Sequence, residues 1–303
     1  MITIALKVDV DTYAGTRDGV PRLLDIFQKK GIHATFYFSM GPDNSGKALR
    51  RIFTHKGFLR RMLKKGKPAL HSLRTMLYGI LLPPPMIASS FPYIIKSTEL
   101  MGHEVGIHGW DHVKWHDLLP WIPKNMIAIE LGRACAAYED ILGHRARTTA
   151  APGWNVTEDS LEIQDAMYLT YCSDTRGEAP FYPVIDGRRF NTLQIPTTLP
   201  TMDELLGEND ITPHNINDLY LDLLRPGLNV LTVQAELEGK ELAEGFALLL
   251  ERLQERNVRF ITLADAAAEF GKDSPDAPVG MGKIPGRTGV TAIQGFEEMP
   301  SPA

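Results

Sequence analysis

Residues 1–39 read MITIALKVDVDTYAGTRDGVPRLLDIFQKKGIHATFYFS, and their pattern sets the fold class. Residues 2–8 form an apolar, β-rich run, residues 20–30 show helical spacing, and residues 33–39 are β-rich again. Gly31 follows Lys30 as a favourable helix C′ residue, because glycine enters the left-handed region without a Cβ penalty. Strand, helix and strand in this order read as parallel strands joined by a crossover helix.

The alternation continues outward. Further β-rich runs lie at 104–107, 147–150, 168–172, 193–195, 228–233 and 258–261, with helical patterns at 124–142, 158–166, 215–224 and 241–256. Thr157, three residues before Ser160, supplies an N-cap short of a full capping box. The expected fold is α/β, a distorted (β/α) barrel, which commonly reaches about 250 residues as one unit. A single domain over residues 1–270 is expected. From Gly271 onward Gly, Pro, Ser and acidic residues dominate and periodicity vanishes, so 271–303 reads as a flexible tail.

With 44% hydrophobic and 23% charged residues, the chain falls in the globular range and outside global disorder. Its two cysteines, Cys135 and Cys172, stand far apart with no CxxC spacing, which argues against a disulfide framework and fits a reducing compartment. The N-terminus does not resemble a secretory signal, and no uninterrupted apolar run reaches about 18 residues, so no spanning helix is expected.

Charge is distributed unevenly. Residues 44–98 contain no Asp or Glu but hold 11 of the 32 basic residues, leaving 21 basic against 37 acidic residues elsewhere. Leu49, Ile52, Phe53, Phe58, Leu59, Met62, Leu63, Leu70, Leu73, Met76, Leu77, Ile80 and Leu81 recur at spacings of three and four beside these cations. That is the composition of a basic amphipathic insertion, and Pro83-Pro84-Pro85 closes it. Contact with an anionic membrane surface is favoured over an insertion with a solvated basic face. Few aromatics interleave the cations, so no nucleic-acid partner is expected.

The chemistry centres on two segments. In VDVDT, residues 8–12, alternation puts Asp9 and Asp11 on the same side of the first strand's C-terminal end, where (β/α) barrels carry active groups. In GHEVGIHGWDH, residues 102–112, a short strand delivers His108, and His112 follows four residues later, close enough to share a metal if the segment turns helically. With Asp11 they make a two-His, one-carboxylate set that leaves positions open for water and substrate. His103 begins the strand and reads as structural.

VDVDT resembles the aspartate motif of the polysaccharide deacetylase, or NodB-homology, superfamily, and GHEVGIHGWDH is similar to its His-x-x-x-His motif. VDVDTYAGTRDGVPRLLDIF, FYFSMGPDNSGKALRR, AAPGW, SDTRGEAPF, QIPTTLPTMDE and AELEG are further similar to the deformylase family of the 4-amino-arabinose lipid A pathway. These blocks cover most of residues 1–250. The resemblance implies a barrel of the polysaccharide deacetylase type, with Asp11, His108 and His112 as ligands of a divalent metal (Zn, Mn, Co or Ni) and Asp9 as general base. It also implies a polyprenyl-phosphate-linked amino sugar as partner, 4-deoxy-4-formamido-L-arabinose on undecaprenyl phosphate, hydrolysed to formate and free amine. Such a substrate places the chain at the cytoplasmic face of the inner membrane, peripheral or monotopic.

Two departures stand out against the superfamily pattern. The late-strand histidine that acts as general acid is Gln234 here, which cannot release a proton at neutral pH, although it can donate a hydrogen bond to an oxyanion. Glu236 and Asp174 are the substitute candidates. The superfamily's arginine motif appears as Thr149-Ala150-Ala151-Pro152-Gly153, with no arginine to orient the base. Arg17, Arg176, Trp110 and Trp154 are expected to line the pocket, with Arg17 or Arg176 meeting the phosphate.

Overall fold

The computed structural model describes residues 1–50 and 77–295. Along the chain run β1 (Ile2–Val10), α1 (Val20–Lys30), β2 (Thr35–Phe38), α2 (Pro92–Leu100), β3 (Glu104–Ile107), α3 (His112–Leu118), α4 (Lys124–Leu142), β4 (Thr148–Thr149) and α5 (Glu158–Ala166). There follow β5 (Tyr171–Cys172), β6 (Tyr182–Ile185), β7 (Arg188–Arg189), α6 (Ile216–Leu223), β8 (Gly227–Gln234), α7 (Ala243–Glu255), β9 (Arg259–Ile261), α8 (Leu263–Phe270), β10 (Asp276–Gly282) and β11 (Thr291–Gln294).

β1 is the hub because it is apolar on one face and chemical on the other. Its even residues, Ile4, Leu6, Val8 and Val10, join Leu23 and Phe27 of α1 and Phe246, Leu250 and Leu253 of α7 in the largest core cluster. Each such side chain contributes about 1.5–3 kcal/mol on full burial. The odd residues, Thr3, Ala5, Lys7 and Asp9, are also buried and turn to the opposite side, where Ala5 packs with Tyr37, Ala150, Tyr171, Ile195 and Val230. That second cluster fills the barrel interior.

All pairings in the main sheet are parallel, in the order β5-β4-β3-β2-β1-β8. One edge of β1 is shared: β9 pairs with Thr3–Ala5 and β2 with Lys7–Val10, which splays the lower half of the barrel. Irregular backbone completes the ring between β5 and β8. Ile195 N donates to Cys172 O, Thr197 N to Thr175 O, and Thr198 and Leu199 N to Val230 O. The run at 193–195, expected as a strand, therefore closes the barrel through isolated bridges, and a distorted (β/α) barrel is the fold.

Three expectations need correction. Residues 276–294 are not a loose tail: β10 pairs parallel with β6 and antiparallel with β11 in a second sheet of order β11-β10-β6-β7. Ala277, Val279 and Met281 alternate along β10 and pack with Phe181, Phe190 and Ala292, but Pro278 and Gly280 between them and Gly282 after them give the segment the composition of a loop. The 44–98 insertion ends sooner, since Ile87, Ala88, Ile94 and Ile95 are core residues. Pro83–Pro85 mark its true close, whereas the basic amphipathic stretch at 51–76 lies outside the described residues. Finally, the α5 cap is a complete capping box, with Ser160 Oγ accepting from Thr157 N and Thr157 Oγ1 from Ser160 N. Serine can serve where Glu or Gln is usual.

Candidate metal centre

The two ligand segments converge where β1 and β3 end. β3 delivers His108, Gly109 turns with φ +75°, and Asp111 then caps α3 by accepting from Lys114 N at 3.0 Å. His112 is thus the first residue of α3, and a turn at 109–111, in place of the helical turn on which shared ligation was conditional, brings the two histidines of the His-x-x-x-His spacing together. Asn44 Nδ2 donates to Asp111 Oδ2 at 2.6 Å, fixing the turn from the second side.

Asp11 sits between the imidazoles, with Oδ1 3.2 Å from His108 Nε2 and Oδ2 3.4 Å from His112 Nε2. The three potential ligand atoms all lie within 4.8 Å of one another. His108 Nδ1 is 2.8 Å from Ala150 O. A carbonyl only accepts, so Nδ1 carries the proton and Nε2 of the neutral ring aims a lone pair at the carboxylate. Two lone-pair atoms at that separation require a proton or a cation between them. Asp11 Oδ1 is also buried without a hydrogen bond. Both observations fit a divalent cation, and the mixed N/O set suits Zn, Mn, Co or Ni.

Without a cation, protonated imidazoles supply that positive charge: burial would raise the Asp11 carboxyl, but the charge of His112 and then the proximity and charge of His108 outweigh it and hold the group well below the usual carboxylate range. Burial pulls His108 down, yet Asp9 and Asp11 together push it up. Asp9, expected as base, is level with Gln234 across the β1–β8 pair. Its Oδ2 is 3.3 Å from Lys7 Nζ, while Oδ1 is buried with no hydrogen-bond partner.

Glu236 braces this corner. Its Oε1 accepts from Asp11 N at 3.1 Å, Thr12 N at 2.9 Å and Thr12 Oγ1 at 2.8 Å, while Oε2 is buried and unbonded. Burial first, and then the neighbouring Asp11 charge, push its carboxyl up to about 8. The close fit demands glycine at residue 15, where a Cβ would stand 1.9 Å from Glu236 Oε1. Glu238 was missed by sequence reasoning. Its Oε2 accepts from Gln234 N at 2.8 Å, and burial pushes it too up to about 8.

The remaining expected residues divide. Trp154 is buried, donates to Thr197 Oγ1 at 3.1 Å and has Lys7 Nζ 5.1 Å from its ring centroid. Trp110 lies between the two histidine ligands, half-buried against Gly41, whose amide donates to Trp110 O at 2.9 Å. Arg176 is not a free phosphate binder: Nη1 bonds Glu204 at 2.7 and 3.0 Å and Nη2 bonds Leu199 O at 3.0 Å. Arg17 is exposed and paired with Asp18. Asp174 is sealed in, accepting from Gln164 at 3.0 Å and Gln194 at 3.1 Å. His103 accepts from Ala34 N at 3.1 Å, outside the metal centre, as its place at the start of β3 suggests.

Lys7 is the chief omission of the sequence reading. A lysine inside ITIALKV, two residues before Asp9, was the available signal, since a cation in the middle of a buried strand must have a partner. His116 was also overlooked; its ring centroid is 6.1 Å from that of His112, one helical turn away.

Comparison with known proteins places this geometry. The profile of the family described as Polysaccharide deacetylase matches residues 2–172. The "Probable 4-deoxy-4-formamido-L-arabinose-phosphoundecaprenol deformylase ArnD" of Shewanella sediminis (strain HAW-EB3) is 36% identical over 94% of this chain and 92% of its own. The protein of the same name from Wigglesworthia glossinidia brevipalpis is 31% identical over 92% and 98%. Among solved structures, the Xyl-CE4 domain of a xylanase from the hindgut metagenome of Trinervitermes trinervoides superposes with a TM-score of 0.54 at 13% identity, covering 89% of this chain and 91% of that one. A shared profile over more than half the length, a shared barrel and two close relatives leave one assignment: the chain belongs to the polysaccharide deacetylase family.

Proposed function

We propose that this chain hydrolyses the formamide of 4-deoxy-4-formamido-L-arabinose-phosphoundecaprenol to formate and the free amino sugar lipid. The observation that carries the reading is Asp11 seated between His108 and His112 with an orphaned buried oxygen, one residue beyond the strand that presents Asp9. The relatives' printed names supply the substrate class.

Asp11, His108 and His112 would hold the divalent cation, which when bound supplies Lewis acidity toward the formyl oxygen and makes water more acidic. Asp9 accepts the water proton at Oδ1, the oxygen no other group engages. Gln234, beside Asp9, donates to the oxygen that gains charge as the carbonyl carbon becomes tetrahedral. Expulsion of the amine needs a proton, and of the two candidates Glu236, just past β8, is bonded to the backbone of Asp11 and Thr12, whereas Asp174 is enclosed by glutamines. Glu236 Oε2 is the favoured source. Arg17, whose side chain stays exposed beside Asp18, is the better candidate for the lipid phosphate, because Arg176 is committed to Glu204.

Among the described residues no helix is long and apolar enough to cross a membrane. Ile80 and Leu81 are nonetheless 52% and 74% exposed at the edge of the basic stretch, which supports peripheral docking on an anionic, cytoplasmic bilayer face.

The test is incubation of protein loaded in turn with Zn, Mn, Co or Ni with formamido- and acetamido-sugar lipids, read by mass spectrometry and formate release. Faster turnover of the acetamide would point to a deacetylase of another amidosugar. Gln234 in the acid's place favours one further reading, a non-catalytic binder of the lipid-linked sugar. Micromolar substrate binding without turnover under all four metals would establish that instead.

A further inference from the structure

We infer that Lys7 is the positioning residue for the general base: it anchors Asp9 Oδ2 so that Oδ1 faces the reactants. The inference rests on the hydrolytic reading above and adds a residue to it. Alternation along β1 puts Lys7 and Asp9 on the same interior face, and their charged atoms meet at 3.3 Å. The Lys7 ammonium is fully buried, donates to Ser173 O at 3.1 Å, and lies 5.7 Å from the Tyr37 ring centroid and 5.1 Å from that of Trp154.

Those contacts hold the ammonium on three sides and leave it little freedom to follow a wandering carboxylate. A carboxylate on a strand end rotates about χ2 in a broad, two-fold well, so a fixed partner on one oxygen is what holds the other in a constant direction. Here Oδ2 is committed to Lys7 and Oδ1 is buried without a hydrogen bond. The pair thus fixes the plane of the carboxylate and keeps its second oxygen unengaged. The segment Thr149–Gly153, which carries no arginine, cannot do this. Burial lowers the lysine's affinity for its proton, and Asp9 and then Asp174 offset part of that loss.

The experiment compares metal-loaded wild type, Lys7→Met, Lys7→Arg, Asp9→Asn and the Lys7→Met/Asp9→Asn double variant. Initial rates are measured on the formamido-sugar lipid, with metal content and circular dichroism measured alongside. Lys7→Met is expected to lower kcat by about 100-fold or more, with KM within about threefold and metal content retained. Lys7→Arg is expected to restore kcat to within about tenfold of wild type, which a purely steric role would not permit. In the Asp9→Asn background Lys7→Met should lower kcat by less than about threefold, because a group that acts through another has nothing left to act on. Additive losses, or a Lys7→Met kcat within about threefold of wild type, would overturn the assignment.

A crystal structure of metal-loaded Lys7→Met supplies an arm independent of substrate. An Asp9 carboxylate rotated from its wild-type position supports the inference, and an unmoved one refutes it. If wild type turns over no substrate, the hydrolytic reading fails while the crystallographic arm still decides the role of Lys7. Should Lys7→Met not fold, Lys7→Gln takes its place; because it keeps a neutral donor for Oδ2, a kcat loss of about tenfold is expected, and a loss below about threefold with an unmoved Asp9 overturns the assignment.

Discussion

Replacing Glu236 separates its two roles. Its Oε1 satisfies the amides of Asp11 and Thr12 and the Thr12 hydroxyl. Glu236→Ala leaves those three donors without an acceptor in a region closed to solvent, at about 1–3 kcal/mol each. Part of that is recovered if water enters the vacated space, so the expected loss is about 4 kcal/mol. Glu236→Gln keeps Oε1 and the side-chain volume, and is expected to cost about 1 kcal/mol or less. Urea unfolding of the metal-free proteins at pH 7 measures both. Equal losses for Ala and Gln would refute the hydrogen-bond reasoning, as would an Ala variant within about 1 kcal/mol of wild type. Turnover then tests the second role: Glu236→Gln should retain metal yet lose about 100-fold in kcat if Oε2 supplies the amine's proton. A fully active Gln variant would leave Glu236 as a brace for the ligand loop alone.

Asp11→Ala or His108→Ala should abolish stoichiometric metal binding, seen by equilibrium dialysis as a loss of at least about 100-fold in affinity. Gln234→His is expected to raise formamide turnover at least about tenfold, and a smaller gain would mean that the missing acid does not limit this enzyme. His103 should impose an acid limit on stability. Burial and then the charge of neighbouring His33 push it down to about 4, so the folded state binds its proton less tightly than the unfolded chain. The stabilisation is complete above pH 6.5 and is lost as pH falls from there toward 4, by at most about 3 kcal/mol. Urea midpoints across that window should flatten in His103→Asn. Ile80→Asp with Leu81→Asp should reduce cosedimentation with phosphatidylserine vesicles without changing metal content, and unchanged pelleting would remove this edge from the membrane contact.

Sequence pattern and barrel agree best where one periodicity dominates. α1, α4 and α5 occupy the spans their spacing predicts, and Gly31 ends α1 with φ 63°. The ligand set was legible because two histidines and a first-strand carboxylate are an uncommon combination at strand ends. Lys7 was not, since apolar neighbours made its strand read as core alone; only the tertiary fold brings Asp9, Ser173 and the Trp154 ring around its ammonium. Arg176 was misjudged for a related reason. Its partner Glu204 lies 28 residues away, and no local signal links them. Strands β6, β7 and β11 are short, and in β10 the alternation of Ala277, Val279 and Met281 is masked by the proline and glycine between them.

The second sheet also reaches back to the barrel. Arg176 N donates to Ala292 O and Gln294 N to Arg176 O, both at 2.8 Å, while the Arg287 guanidinium lies 4.5 Å from the Trp154 ring centroid. Shortening the chain at Gly271, which composition alone would encourage, would therefore remove more than a decorative appendage. It would uncover one side of an indole that also flanks the buried lysine, and a distant trimming could register as a catalytic defect.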